Sequence, residues 1–321
     1  MRTSFCIVLL SLSFALPAAH AGRLMERRAA DLQDDDSAGT VSSLPAGVTL
    51  RRDVPYGEDR LQRMDVYLPA QAKNAPVIVM VHGGGWRRGD KTMRSVVENK
   101  LARWSANGFV FISVNYRLLP QADVAQQADD VAKALATAQS QAESWGADPS
   151  AFLLMGHSAG AHLIALLSAD PSRAFRLGAK PWLGTVALDS AALDVAQIMQ
   201  GRHMRLYDPA FGADPAYWKS VSPFHALSSK AVPLLAVCSS RRTDSCPQAR
   251  QFVSAEERLG VRASVLEEDL SHRQINEELG LPGAYTSGVE QFMRSLGLAV
   301  ADNAAPLPSR APARRRFLRR E

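Results

Sequence analysis

The sequence of 321 residues predicts an α/β protein built on a mostly parallel sheet of about eight strands, with helices on both faces. Three observations carry that expectation. Short apolar runs alternate with helical stretches along most of the chain, a rhythm that implies parallel strands joined by right-handed crossovers. The apolar run Val77–Val81 opens directly into His82-Gly83-Gly84-Gly85-Trp86, an amide-rich turn at a strand end. The run Phe152–Met155 ends in Gly156-His157-Ser158-Ala159-Gly160, with a helical run from Ala161 to Leu167 behind it.

Each element follows from its own pattern. From Val48 the chain alternates apolar and polar residues through Asp65-Val66-Tyr67-Leu68 and stops at Pro69, as an antiparallel edge hairpin does. A strand at Val77–Val81 precedes a helix over Thr92–Ala106, then a strand at Phe109–Val114 and an alanine-rich helix from Ala122 to Trp145. The strand Phe152–Met155 and the helix after Ser158 form the next unit, and Leu183–Leu188 is another strand. Residues 190–230, rich in proline, methionine and aromatic side chains, break the rhythm and are expected to form a small cap. The pattern resumes with a strand at Val232–Val237, a helix at Gln248–Leu259, a strand at Val261–Leu266 and helix over most of Gln274–Leu296.

The flanks differ in composition. Residues 1–21 read as an export signal: Arg2 begins it, Ile7–Leu16 is apolar, and Ala19-His20-Ala21 is a small-residue cleavage site. The apolar stretch is shorter than the ~20 residues of a spanning helix, and no later segment is long and apolar enough to serve as one. Residues 22–46 are expected to be a flexible leader, residues 47–300 one catalytic domain, and residues 301–321 a basic disordered tail. The tail explains the high pI: residues 302–321 hold six Arg against Asp302 and Glu321, whereas residues 22–301 carry 30 basic and 30 acidic side chains. A charge-balanced body gives no reason to expect nucleic acid as a partner. Once Cys6 leaves with the signal, Cys238 and Cys246 remain. In a periplasmic or secreted protein that even count points to a disulfide, two free thiols being the alternative.

Serine becomes a nucleophile near neutral pH only when a base takes its proton and a carboxylate orients that base. Ser158 lies on the tight bend where flanking glycines let backbone pack closely. The histidines have no H-E-x-x-H spacing, so neither a metal nor another cofactor is expected.

The two glycine motifs together resemble the α/β-hydrolase superfamily, in the branch of hormone-sensitive-lipase-like esterases, arylformamidase-like hydrolases and feruloyl-esterase-like proteins. The likeness spans Val48 to Leu296 and extends to Asn115-Tyr116-Arg117, Ser222-Pro223 and His272. It implies an exported serine hydrolase that cleaves a small-molecule carboxylic ester through an acyl-enzyme. An aryl formamide or a feruloyl ester is the alternative substrate, and a non-catalytic binding protein on the same fold is a further one. Ser158 would be the nucleophile, with the N–H groups of Ala159, Gly84 and Gly85 around the oxyanion; sequence does not say which loop amides point inward. The order Ser, acid, His assigns the base to His272, after the last strand. Of the other histidines, His82 opens the glycine loop, His157 and His162 flank the serine, and His203 and His225 belong to the cap. The acid is expected after the strand Val232–Val237, where Asp244 is the sole carboxylate before the next helix. There the chain departs from the family's Gly-x-x-Asp-x-x-Val-Pro-like loop, reading Ser239-Ser240-Arg241-Arg242-Thr243-Asp244-Ser245-Cys246-Pro247. Glu267, Glu268 and Asp269, closer to His272 in sequence, are the alternative acids, although such a run is more often a solvated face; Arg241 and Arg242 are read as exposed. Trp86 and Tyr116, with the cap aromatics, suit the wall of a substrate pocket.

Overall fold

The computed structural model describes residues 39–41, 43–190 and 192–300. The expected export signal, most of the expected leader and the expected basic tail lie outside them. One eight-stranded sheet runs in the order β1-β2-β4-β3-β5-β6-β7-β8. Its strands are β1 (Thr49–Pro55), β2 (Arg63–Leu68), β3 (Ala75–Val81), β4 (Val110–Val114), β5 (Ala147–His157), β6 (Gly184–Leu188), β7 (Leu234–Ser239) and β8 (Ala263–Glu268). β2 is antiparallel to both β1 and β4, and every pairing from β4 onward is parallel.

Residues of β3 alternate between two cores, as the period of two in a strand dictates. Val77, Val79 and Val81 join Ile112 and Leu154 on one face, beneath the helices Val124–Gln141 and Ala159–Ala169. Ile78 and Met80 join Phe111, Leu153 and Met155 on the other, against the helices Arg94–Ser105, His272–Glu278 and Ala284–Ser295. Burial on both faces explains why the strands read as unbroken apolar runs.

Two details differ from the sequence expectation, and a third gives the expected cap its form. The leader is docked from Gly39: its carbonyl accepts the Arg94 N–H at 2.8 Å, and Thr40 bridges to Met93. The last helical region is two helices, broken around Gly280 (φ +104°), where a Cβ would collide with the Asn99 carbonyl. The stretch 190–230 forms four short helices, Val195–Gln200, Asp208–Phe211, Pro215–Ser220 and Pro223–Ala226, above the carboxyl ends of the strands. The connection leaving β3 runs to β4 on one side and the connection leaving β5 runs to β6 on the other, which opens a crevice beyond the ends of these neighbouring strands.

Candidate active site

A cavity of about 510 Å³ occupies this crevice, lined by Gly84, Gly85, Ser158, Ala159, Asp189 and His272 among others. Ser158 sits between β5 and the helix Ala159–Ala169 with φ 53° and ψ −116°, a conformation that a side chain rarely adopts. The glycines around it make the bend possible. A Cβ on Gly160 would strike the Val81 carbonyl, and one on Gly83 would lie 3.0 Å from the Ser158 Cβ. The glycine loop and the serine turn therefore pack with no side chain between them.

His272 opens its helix and is 3% exposed. Its Nδ1 donates to Asp189 Oδ2 at 2.6 Å. Behind it, His157 stacks at 4.4 Å between centroids, and His157 Nε2 donates to the His272 carbonyl at 3.0 Å. Burial, His157 and the Arg242 charge together lower the His272 pKa, against the opposing pull of Asp189.

Asp189 follows β6 directly, at φ 52°, and is fully buried. Burial pushes its pKa up, but the Arg242 charge and the bonds from His272 and Ser245 hold it well below the usual carboxylate range. Oδ1 accepts from the Ser239 N–H at 2.8 Å and from the Ser245 hydroxyl, while Oδ2 accepts from His272 and from Arg242 Nη1 at 2.8 Å. Every available lone-pair direction on the carboxylate is thus taken.

Asp244 does not hold this place, which corrects the sequence assignment. Its side chain is 38% exposed and pairs with Arg242 Nε at 3.2 Å. Asp244 stands at the N-cap position of the helix Ser245–Arg258 without a side-chain capping bond, and its carboxylate meets Arg242 and not His272. Arg242, read as exposed, is in fact 14% exposed in its side chain and wedged between the two aspartates. Arg241 is exposed and pairs with Asp269.

Cys238 and Cys246 form a disulfide with Cα atoms 5.1 Å apart. The loop it closes contains Ser239, Arg242 and Ser245, three of the four donors on Asp189. The loop expected to carry the acid instead carries hydrogen-bond donors to Asp189. The missed residue did leave a signal: Asp189 comes immediately after the core strand residue Leu188, and a carboxylate at that depth must be paired.

The glycine loop is locked from behind. Trp86 Nε1 donates to His162 Nδ1 at 3.2 Å, and His162 Nε2 donates to the Val221 carbonyl of the cap at 2.8 Å. Burial lowers the His162 pKa to about 4, so the ring stays neutral and serves as a strut. Tyr116 is fully buried, stacked on His82 at 4.5 Å with its hydroxyl donating to the His82 carbonyl. It supports the loop from below and is absent from the cavity wall, so its expected pocket role is withdrawn. Trp86 does line the cavity, against Tyr207 and Phe211 of the cap. His203 and His225 lie on the cap, bonded to Asp208 and Ser222.

A strained serine, a buried imidazole held by a carboxylate, and a glycine loop at the end of β3 share one cavity beyond a mostly parallel sheet. The chain has the α/β-hydrolase fold. The superposition on esterase B from Lactobacillus Rhamnosis (HN001) has a TM-score of 0.64 at 19% identity, covering 87% of this chain and 93% of that one. The BD-FAE family model matches residues 64–177 of this chain. Isoprenylcysteine alpha-carbonyl methylesterase ICME of Arabidopsis thaliana is 24% identical over 250 residues, 68% of this chain and 55% of the relative. Kynurenine formamidase of Danio rerio is 32% identical over 146 residues, 43% of this chain and 47% of the relative. The chain thus spans about half the length of each of these two relatives. Among the described residues no helix is long and apolar enough to cross a membrane, and no group of three or more His, Cys, Asp or Glu is placed to hold a metal ion.

Proposed function

We propose that this α/β-hydrolase is an exported serine esterase that cleaves small-molecule carboxylic esters through an acyl-enzyme. The observation that carries the reading is the bond from His272 Nδ1 to buried Asp189, in the cavity that Ser158 lines. With Nδ1 committed to Asp189, Nε2 is the nitrogen that takes the Ser158 proton as Oγ attacks the ester carbonyl. The proton then passes to the leaving alkoxide, and water, activated by the same nitrogen, releases the acid. Asp189 holds the tautomer and stabilises the imidazolium while remaining ionised. Backbone N–H groups of Ala159 and the Gly84–Gly85 loop receive the oxyanion, each such donor being worth about 3 kcal/mol in the transition state. Gly84, Gly85 and Ala159 all border the cavity, in support of this role.

Export is supported by the signal-like residues 1–21 and by the Cys238–Cys246 disulfide, which suits an oxidising compartment. The likeness to kynurenine formamidase favours one second reading, hydrolysis of an N-formyl amide by the same groups. The test is turnover of p-nitrophenyl esters and an N-formyl aryl amide by the wild type and Ser158→Ala. Ester turnover that vanishes in the variant, with a fluorophosphonate labelling only Ser158, is the expected result. Persistent turnover in the variant contradicts the mechanism, and exclusive turnover of the amide replaces ester by formamide.

A further inference from the structure

Charge around the cavity is one-sided. Four arginines border it, Arg87, Arg88, Arg205 and Arg242, and the only carboxylate on its wall is Asp189, already engaged by His272 and Arg242. Arg242 is spent on Asp189 and Asp244. Arg87 and Arg205 are exposed, and no carboxylate pairs with either among the described residues. They approach the rim from opposite sides. Arg87 follows the glycine loop, whose turn is closed by the Arg87 N–H bonding the Gly84 carbonyl at 3.2 Å. Arg205 comes from the cap, and its neighbour Leu206 lies 3.9 Å from where a Gly85 Cβ would stand. Glycine loop and cap therefore meet, with one guanidinium on each, at the rim of the cavity that holds Ser158. The nearby cap carboxylate Asp208 is bonded to His203.

We infer that, if the site is an esterase site as proposed above, its substrates carry an anionic group, a carboxylate, sulfate or phosphate, received at the rim between Arg87 and Arg205. Guanidinium forks match such oxyanions in geometry as well as charge. A cleft lined by one sign of charge also concentrates the oppositely charged ester, and it does so in a salt-dependent way. The even charge of residues 22–301 gave no hint of this, because it is the placement of the charges that matters.

The experiment compares kcat/KM within two pairs of matched esters. Mono-p-nitrophenyl glutarate against p-nitrophenyl valerate places the carboxylate on the acyl side. p-Acetoxybenzoate against its methyl ester places it on the leaving group. The wild-type enzyme should favour the anionic member of at least one pair by about tenfold or more at low salt, and the preference should shrink near ~0.5 M salt. The Arg87→Gln/Arg205→Gln double variant should lose most of that ratio. Arg258→Gln, which removes an exposed arginine away from the cavity, should keep it. No preference in either pair, a preference that survives the double variant, or an equal loss in Arg258→Gln overturns the inference while leaving an esterase that cleaves the neutral esters. Failure of the wild type to cleave any of the four esters overturns the esterase reading and this inference with it.

Discussion

Arg242 Nη1 lies 2.8 Å from Asp189 Oδ2 and 2.9 Å from His272 Nδ1, so a guanidinium touches both members of the acid–base pair. Nδ1 already donates to Asp189, which makes its approach to Arg242 a contact between two donors. The charge opposes protonation of the imidazole. With burial and His157, it lowers the His272 pKa and keeps the base in its neutral form to more acidic pH.

The Arg242→Gln variant should therefore move the acidic limb of the kcat/KM profile to higher pH. The sign follows from removing a positive charge: imidazolium becomes easier to form, and the base is lost earlier as pH falls. A stability loss of about 3–5 kcal/mol should accompany it, the usual consequence of leaving one partner of a buried ion pair alone. A pH profile that stays in place in the folded variant would show that Arg242 is structural only.

Reduction of the Cys238–Cys246 bridge frees the loop that supplies Ser239, Arg242 and Ser245 to Asp189. Loosening of the acid's surroundings should lower kcat more than it raises KM, since misplacement by about 1 Å costs on the order of 100-fold. The Cys238→Ser/Cys246→Ser variant should also lose about 2–3 kcal/mol of stability from the short closed loop. Unchanged kcat in the reduced, folded protein would confine the disulfide to stability.

Glu256 is buried in the helix Ser245–Arg258, and neither carboxyl oxygen meets a hydrogen-bond partner. Burial pushes its pKa from 4.5 to about 8. Between those values the folded protein keeps a proton that the unfolded chain gives up, so this residue makes stability fall as pH rises from 4.5 to 8. Thermal unfolding should show Glu256→Met raising Tm, and by more at pH 8 than at pH 5. An equal gain at both would assign the benefit to packing.

The centre of the sheet was legible because its strands, from Ala75–Val81 to Leu234–Ser239, are buried on both faces and separated by helices of ordinary length. Ser158 and the glycine loop were legible because only glycine fits where Gly160 meets Val81 and Gly83 meets Ser158. Chain order pointed to His272, which lies in the same cavity as Ser158. The acid did not, for a geometric reason: β6 and β7 are neighbours ending at the same edge of the cavity, so a carboxylate after either strand is a candidate to reach His272. The Asp244 loop resembled the family's acid loop in position, while the deciding facts were three-dimensional. Arg242 turns back to occupy Asp244, and Asp189 adopts a positive φ that aims its carboxylate into the donors of the β7 loop. Tyr116 was misplaced for a similar reason, since an aromatic beside a glycine loop packs under it as readily as beside it.

The most direct test of the central claim is kcat/KM for a neutral ester in Asp189→Asn and Asp244→Asn, both shown by circular dichroism to be folded. Asn at the orienting position favours the wrong imidazole tautomer, and loss of that carboxylate costs on the order of 10⁴-fold in kcat in triad enzymes. Asp189→Asn should lose about that much, whereas Asp244→Asn, which touches only Arg242, should stay within about tenfold of the wild type. The reverse ranking, with Asp244→Asn nearly inactive and Asp189→Asn active, would contradict the account and return the acid to the β7 loop.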